Sequence, residues 1–271
     1  MNRESMAPIT RDRLRTDLSN LGLASGDTVL VHAAMSRIGW IVGGSVAVVQ
    51  SLLDVVGPDG TVMVPTGTAG NCDPARWERT LGQAVPEQWW APIRDHLPAF
   101  DAATTPSTGM GSVAETVRTW PGAIRSAHPQ SSFAAVGRQC RRITEGHDLD
   151  CHLGENSPLG RLMDVEASVL LLGVGYDVCT SFHLAEYRQP EPRTRDYECV
   201  VLDHNAGRVW FRYRDVDLRA DDFLVLGKAF ESSPDGRDCV RIGPVGSATA
   251  RLLPVRQAVE FAVTWIRQNR S

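Results

Sequence analysis

The run Thr28-Val29-Leu30-Val31-His32, followed by Ser45-Val46-Ala47-Val48-Val49-Gln50-Ser51-Leu52-Leu53-Asp54-Val55-Val56, then Gly57-Pro58-Asp59-Gly60 and Thr61-Val62-Met63-Val64, decides the fold class. The first run, entered through the turn Gly26-Asp27, is short and apolar enough for a strand. The second reads as a buried helix, and the Gly-Pro-Asp-Gly turn closes it before another strand. Strand, helix and strand in that order form a β-α-β unit, which implies a parallel pair.

On the N-terminal side, Thr10 is placed to cap a helix whose Leu14, Leu18 and Leu21 share a face, with Gly22 to end it. On the C-terminal side, Pro65 to Ser112 dissolves into Gly, Pro, Thr and Trp (Trp77, Trp89, Trp90), and a loop that long inside a compact domain is usually functional. A third helix is expected near Ser112 (Val113, Val117, Trp120), and short strands around Phe133 to Val136 and Val169 to Leu172. Cys199 to Asp203, Arg208 to Tyr213 and Ala248 to Leu253 have the texture of antiparallel strands, and Pro254 to Gln268 that of a closing helix. The expected fold is therefore α/β: a mixed sheet core with β-α-β units in the N-terminal part, antiparallel strands and a closing helix in the C-terminal part.

A chain of 271 residues with 42% hydrophobic content buries one large core or two closely joined ones. No apolar run is long enough to span a membrane, and Met1 to Asp17 is charged and polar, so a cytoplasmic protein without membrane contacts is expected. Six scattered cysteines without a C-x-x-C pair predict reduced thiols rather than a disulfide framework or zinc ribbon. A net charge of −4 argues against nucleic-acid binding and suits a cationic small substrate. No metal site is expected, Cys151-His152 being the nearest cluster without further ligands at metal spacing.

The chemistry concentrates in Cys179-Thr180-Ser181-Phe182-His183-Leu184-Ala185-Glu186-Tyr187, after the apolar segment Ser168 to Gly175. Strand, turn and helix start place His183 at the mouth of a sheet. Glu186, three residues on, shares its helix face and can fix the imidazole tautomer. An imidazole titrating at about 6.5 takes a proton from an amine, hydroxyl or thiol near neutral pH; a dyad that only solvates a surface helix is the bland alternative. Cys179 is disfavoured as a nucleophile, because a thiol without a cationic neighbour titrates at about 8.5.

Gly173-Val174-Gly175-Tyr176-Asp177-Val178 lacks the third glycine of a dinucleotide fingerprint, and there is no G-x-S-x-G, H-E-x-x-H or P-loop motif. In Arg125-Ser126-Ala127-His128-Pro129, the proline holds His128 extended, which predicts an exposed ring at the start of a strand, where it either contacts a ligand or braces a loop. Leu153-Gly154-Glu155-Asn156-Ser157-Pro158 reads as a turn whose Glu155 either meets a cation or is merely solvated. Gly43-Gly44 opens a helix, where unoccupied N–H groups suit a phosphate.

Together, His32 with Ser36 and Gly43-Gly44, Phe100 to Gly111, Arg125 to Pro129, Leu153 to Pro158 and Thr180 to Glu186 resemble the aminoglycoside 3-N-acetyltransferase family. The resemblance runs from about residue 10 to 268, so that 1–271 is expected to be a single antibiotic acetyltransferase-like domain. It implies acetyl-CoA as co-substrate, a cationic aminoglycoside as acceptor, and acetylation of the 3-amino group of 2-deoxystreptamine antibiotics, conferring resistance. By residue it implies His183 as catalytic base with Glu186 as partner, and His32, Ser36, Arg37, Gly43, Gly44, Ser107, Met110 and Ser126 on the coenzyme A side. Asp73, His128 and Glu155 fall on the substrate side. Ala33 and Ala34 stand where relatives often carry Ser or Thr, which removes one side-chain contact to the cofactor, and Thr66 to Pro98 departs most. Two alternatives remain open: acylation of the amine of a biosynthetic intermediate, and binding of coenzyme A or a polycation without turnover. A hydrolase using His183 is weaker. A homodimer is compatible with the sequence.

Overall fold

The computed structural model describes residues 7–270, so the first six residues of the polar N-terminal segment and Ser271 lie outside the described residues. Helix α1 (Arg11–Leu21) starts where Thr10 Oγ1 accepts from Arg13 N at 3.2 Å and stops at Gly22, whose φ of 106° is left-handed. Its buried Leu14, Leu18 and Leu21 lie on one face, as their spacing requires. Strand β1 (Thr28–Ala33) leads through the single turn α2 (Met35–Ile38) to α3 (Gly44–Val56) and β2 (Thr61–Pro65). β1 and β2 are parallel, with Thr28 opposite Thr61 and Leu30 opposite Met63, as the β-α-β reading requires.

Short helices α4 (Trp77–Leu81) and α5 (Trp90–His96) occupy part of the segment that shows no amphipathic period. There follow α6 (Gly111–Arg118), β3 (Ile124–Arg125), β4 (Phe133–Gly137), α7 (Cys140–Thr144), α8 (Pro158–Asp164), β5 (Ser168–Leu172) and α9 (His183–Tyr187). The chain closes with β6 (Thr194–Asp203), β7 (Gly207–Val216), α10 (Phe223–Ser232), α11 (Pro234–Cys239), β8 (Arg241–Val245), β9 (Ala248–Pro254) and α12 (Val255–Asn269).

The seven-stranded sheet has the order β3-β4-β2-β1-β5-β9-β8. β2, β1 and β5 are parallel, and β4 against β2, β9 against β5 and β8 against β9 are antiparallel. The three C-terminal strand segments therefore divide: β6 and β7 pair as a separate hairpin, while β9 joins the main sheet. Strand alternation sorts the core into two layers. Val29, Val31, Val62, Val64, Leu170 and Leu172 pack with α1, α3 and α6. Leu30, Met63, Val169 and Leu171 face α8, α9, α10 and α12. Among the described residues no helix is long and apolar enough to cross a membrane.

Candidate active site

β1 is flanked by β2 on one side and β5 on the other, and the helices that lead into those two strands cover opposite faces: α3 belongs to one core layer and α8 to the other. The carboxyl ends of β1 and β5 thus form a topological switch point, where open α/β sheets leave a crevice for ligands. His32, next to last in β1, shares its face with Leu30, toward the layer that carries α9. The turn after β5 returns the chain to the same edge, where α9 begins at His183.

His183 Nδ1 lies 2.6 Å from Glu186 Oε2. Nδ1–H donates to the carboxylate, so Nε2 carries the lone pair, and no hydrogen bond from the described residues engages it. Glu186 is 4% exposed, and its second oxygen accepts from Arg219 N at 3.0 Å and from the Arg270 guanidinium. The His183 side chain keeps 15% of its surface, enough for a reacting atom to approach. His32 Nε2 is 3.4 Å from Thr180 Oγ1, and burial together with the nearby His183 holds the His32 imidazole down to about 4. It is therefore neutral at pH 7 and adds no positive charge to the crevice.

The residues expected on the coenzyme A side gather beside this crevice, with one exception. Ser36 and Arg37 lie on α2, and Gly43 and Gly44 open α3 with φ of 85° and 59°. No side chain caps α3, and a Cβ built on Gly44 would meet nothing within 4 Å. This leaves an open cradle at the positive end of a 13-residue helix, which fits a phosphate. Ser45 Oγ and Thr116 Oγ1, 2.8 Å apart, tie that end to α6. Met110 immediately precedes α6, and Ser107 Oγ donates to Glu115 Oε2 at 2.7 Å. Hydrogen bonds from Arg118, aided by Ser107, keep the Glu115 carboxyl down to about 2. Ser126 stays apart: it is buried, donates to His147 Nδ1 at 3.0 Å and accepts from Phe133 N at 2.9 Å.

The three residues expected on the substrate side differ in their settings. Asp73 is buried, caps Ala75 N at 2.9 Å and takes a bidentate pair from Arg94 at 2.5 and 2.9 Å. Glu155 is exposed and paired with Arg188 at 2.6 Å. The expectation of an exposed His128 ring is overturned, because the side chain is fully buried. Pro129 restricts only the backbone of its neighbour, whereas His147 and His152 cover the ring at centroid distances of 4.8 and 4.6 Å. His128 Nδ1 accepts from Gln130 N and Ser131 N, both at 3.1 Å, so its proton sits on Nε2, which is buried without a hydrogen-bond partner among the described residues. Burial, with His152 and His147 beside it, pushes this imidazole well below its usual value.

A second histidine–carboxylate pair, not expected from the sequence, lies between His152 and Asp215. Asp215 Oδ2 accepts from His152 Nδ1 at 2.8 Å and from Tyr187 Oη at 2.6 Å. Tyr187 is the last residue of α9, so this network anchors the helix that carries His183. It adjoins a cavity of about 430 Å³ lined in part by Gln130, His152, Arg195, Tyr197 and Glu198. The partners are 63 residues apart, and nothing in sequence spacing pairs them. Cys179 is buried, which pushes its thiol up to about 12. No cluster of three or more metal-ligating side chains occurs among the described residues.

The family profile described as aminoglycoside 3-N-acetyltransferase matches residues 30–267. The SPbeta prophage-derived aminoglycoside N(3')-acetyltransferase-like protein YokD of Bacillus subtilis (strain 168) is 42% identical over 97% of this chain and 94% of its own length. Its crystal structure superposes with a TM-score of 0.92, covering 98% of this chain and 96% of that one. Aminoglycoside N(3)-acetyltransferase VII of Streptomyces paromomycinus is 35% identical over 98% of this chain and 94% of its own. The structure of AAC-IIIb in a binary complex with CoASH, 32% identical, has a TM-score of 0.83 and covers 97% of each chain.

Proposed function

This chain belongs to the aminoglycoside 3-N-acetyltransferase family, and from that premise we propose that it transfers acetyl from acetyl-coenzyme A directly to the 3-amino group of 2-deoxystreptamine aminoglycosides. His183 is the general base, Glu186 its orienting partner, and antibiotic resistance in the cytoplasm the outcome. The observation that carries this reading is the 2.6 Å contact between His183 Nδ1 and Glu186 Oε2 at the switch point of the sheet.

An ammonium has no lone pair with which to attack a thioester. The reacting species is therefore the free amine, its ammonium having released one proton to solvent; His183 Nε2 accepts a second proton from the nitrogen as it adds to the acetyl carbonyl, and passes it to the thiolate of coenzyme A as the carbon–sulfur bond breaks. General base catalysis of this kind contributes about 10² to 10⁴ in rate, and holding both substrates in one crevice supplies much of the remainder. The open cradle at Gly43-Gly44, with Ser36 and Arg37 beside it, is suited to the coenzyme's phosphates. Ser107 and Met110 would flank its chain, while Ser126, turned into the core, would act only through His147. On the acceptor side, Asp73 remains a candidate that shares its charge with Arg94. The burial of His128 and the ion pair of Glu155 with Arg188 weigh against direct contact by either. A covalent acetyl-enzyme on Cys179 is disfavoured by a thiol that burial keeps protonated.

The test is to mix the protein with acetyl-coenzyme A and a panel of aminoglycosides, following free thiol and product mass in wild type and His183→Ala. Amine-dependent thiol release with one acetyl group on the 3-amino nitrogen, lost in the variant, is expected. Turnover retained in His183→Ala would remove the base, and thiol release without an amine would point to hydrolysis. Raised aminoglycoside tolerance in a susceptible host expressing the protein tests the resistance role.

A further inference from the structure

The oxygen of Glu186 that His183 does not use is bonded by Arg270, just beyond the end of α12. The same guanidinium holds Asp222 through Nε at 2.7 Å and Nη2 at 2.5 Å, and Nη2 also reaches the Arg219 carbonyl at 2.9 Å. Its carbon lies 5.6 Å from the ring centroid of Phe223, whose ring packs against His183 at 4.7 Å. The Arg270 side chain is only 13% exposed. A planar fork held at a carboxylate, a carbonyl and a second carboxylate has little freedom left, so Glu186 is aimed as well as charged.

We propose that Arg270 is a positioning residue for the transfer reaction, acting through Glu186 to aim the carboxylate at His183 Nδ1 and to limit how tightly the dyad holds a proton. This rests on His183 being the base. Charge counting gives the second effect its sign. With Arg270, Asp222 and Glu186 present, protonating His183 takes the group from −1 to 0; without the guanidinium it takes it from −2 to −1, which is easier. The groups facing His183 are Glu186 on its own helix, His32 from β1 and His152 from the loop before α8. Behind Glu186 stand Arg270 from the end of α12, and Arg219 and Asp222 from the loop before α10, with Asp221 paired to Arg219. Burial keeps His32 and His152 neutral, Arg219 is paired with Asp221 and Arg270 with Asp222, so removing one member of the last pair unbalances the charge behind Glu186.

The experiment records kcat/KM against pH and thermal melts for wild type, His183→Ala, Arg270→Met, Arg270→Lys and Asp222→Asn, with a ¹⁵N titration of the His183 imidazole in each variant that retains it. In Arg270→Met the acidic limb is expected to move up by about one pH unit, so that kcat/KM falls about tenfold below the limb and stays within about threefold above it. The KM for acetyl-coenzyme A stays within about twofold. Arg270→Lys restores most of the wild-type limb, and Asp222→Asn, which adds positive charge behind Glu186, moves it the other way. An unmoved limb and titration in folded Arg270→Met, or in Asp222→Asn should the former not fold, overturns the inference, even if activity falls uniformly. Turnover surviving in His183→Ala would instead sink the base assignment, and the imidazole titration still reads the effect of Arg270 if no amine is acetylated.

Discussion

The ring of Phe223 lies against that of His183, with centroids 4.7 Å apart and planes inclined at 57°. Phe223 opens α10 and is 1% exposed, so it forms a wall that limits where the imidazole can turn. In Phe223→Leu the apolar volume is nearly kept and the flat wall is lost. Stability should fall by less than about 1.5 kcal/mol, while kcat drops about fivefold with little change in KM, the pattern of a lost orientation. Steady-state kinetics beside a urea melt check this; a kcat equal to that of wild type would show that Glu186 alone orients the ring.

Glu186→Gln keeps the shape of the partner and removes its charge. The amide can turn its NH₂ toward Nδ1, which moves the imidazole proton to Nε2, where the proposed base needs a lone pair. By analogy with carboxylate-to-amide changes in hydrolytic triads, kcat should fall by about 10² to 10⁴. The variant also leaves the guanidinium of Arg270 with Asp222 as its remaining carboxylate partner. A loss smaller than threefold would mean that the tautomer is set elsewhere.

His147 and His32 are buried and each is held down to about 4, by burial first and then, for His32, by the nearby His183. The unfolded chain takes up these protons near pH 6.5 and the folded chain does not until about pH 4. Between those values the unfolded state binds more protons, so stability is full above the window and falls as pH drops through it. Each histidine should withdraw about 2 kcal/mol on going from pH 8 to pH 5. His147→Gln, which keeps polar atoms in place and cannot titrate, should flatten the dependence of unfolding free energy on pH by that amount; an unchanged slope would contradict it.

Cys179 is buried, with its thiol pushed up to about 12, and Ser181 Oγ lies 3.2 Å away. Cys179→Ala should therefore leave kcat within about threefold and cost about 1 kcal/mol of stability. Rapid-quench mass analysis of wild type mixed with acetyl-coenzyme A alone should find no acetylated protein. A stable acetyl adduct lost in Cys179→Ala would replace direct transfer with a two-step route.

Where local chemistry decides an element, the sequence is a good guide: Thr10 and Gly22 bound α1 as their caps require, and the turn at Gly57-Pro58-Asp59-Gly60 brings β2 back parallel to β1. His183 and Glu186 share a helix face because they are three residues apart, and they meet. β8 escapes because it is an edge strand, largely exposed and containing Gly243 and Pro244, so no buried alternation marks it. α10 carries Phe223, Leu226 and Phe230 at helical spacing, yet the strand-like segments on either side of it mask that period. His128 illustrates the harder failure. Its burial comes from His147 and His152, brought over it by a separate loop, and no local pattern encodes that contact. Arg270 and Asp215 join their partners over 84 and 63 residues respectively, and such long-range polar pairs are set by how the layers close.

Gly227 lies in α10 where a Cβ would stand 2.0 Å from Cγ of Tyr176. That ring has nowhere to go, being 1% exposed and fixed by its hydroxyl donating to Glu231 Oε2 at 2.9 Å. Gly227→Ala must therefore push α10 away from the turn Tyr176–Val178, at a cost of about 1 to 3 kcal/mol despite the better helix propensity of alanine. The displacement also reaches the proposed active site, because the same helix begins with Phe223, which abuts His183. A lower melting temperature should thus come with a reduced kcat at temperatures where the variant is fully folded. Lys228→Ala, on the exposed side of the next position, should stay within about 0.5 kcal/mol and retain activity. If Gly227→Ala melts early yet turns over at the wild-type rate, α10 moves as a unit without carrying Phe223 off His183, and the wall is more tolerant than its 4.7 Å contact implies.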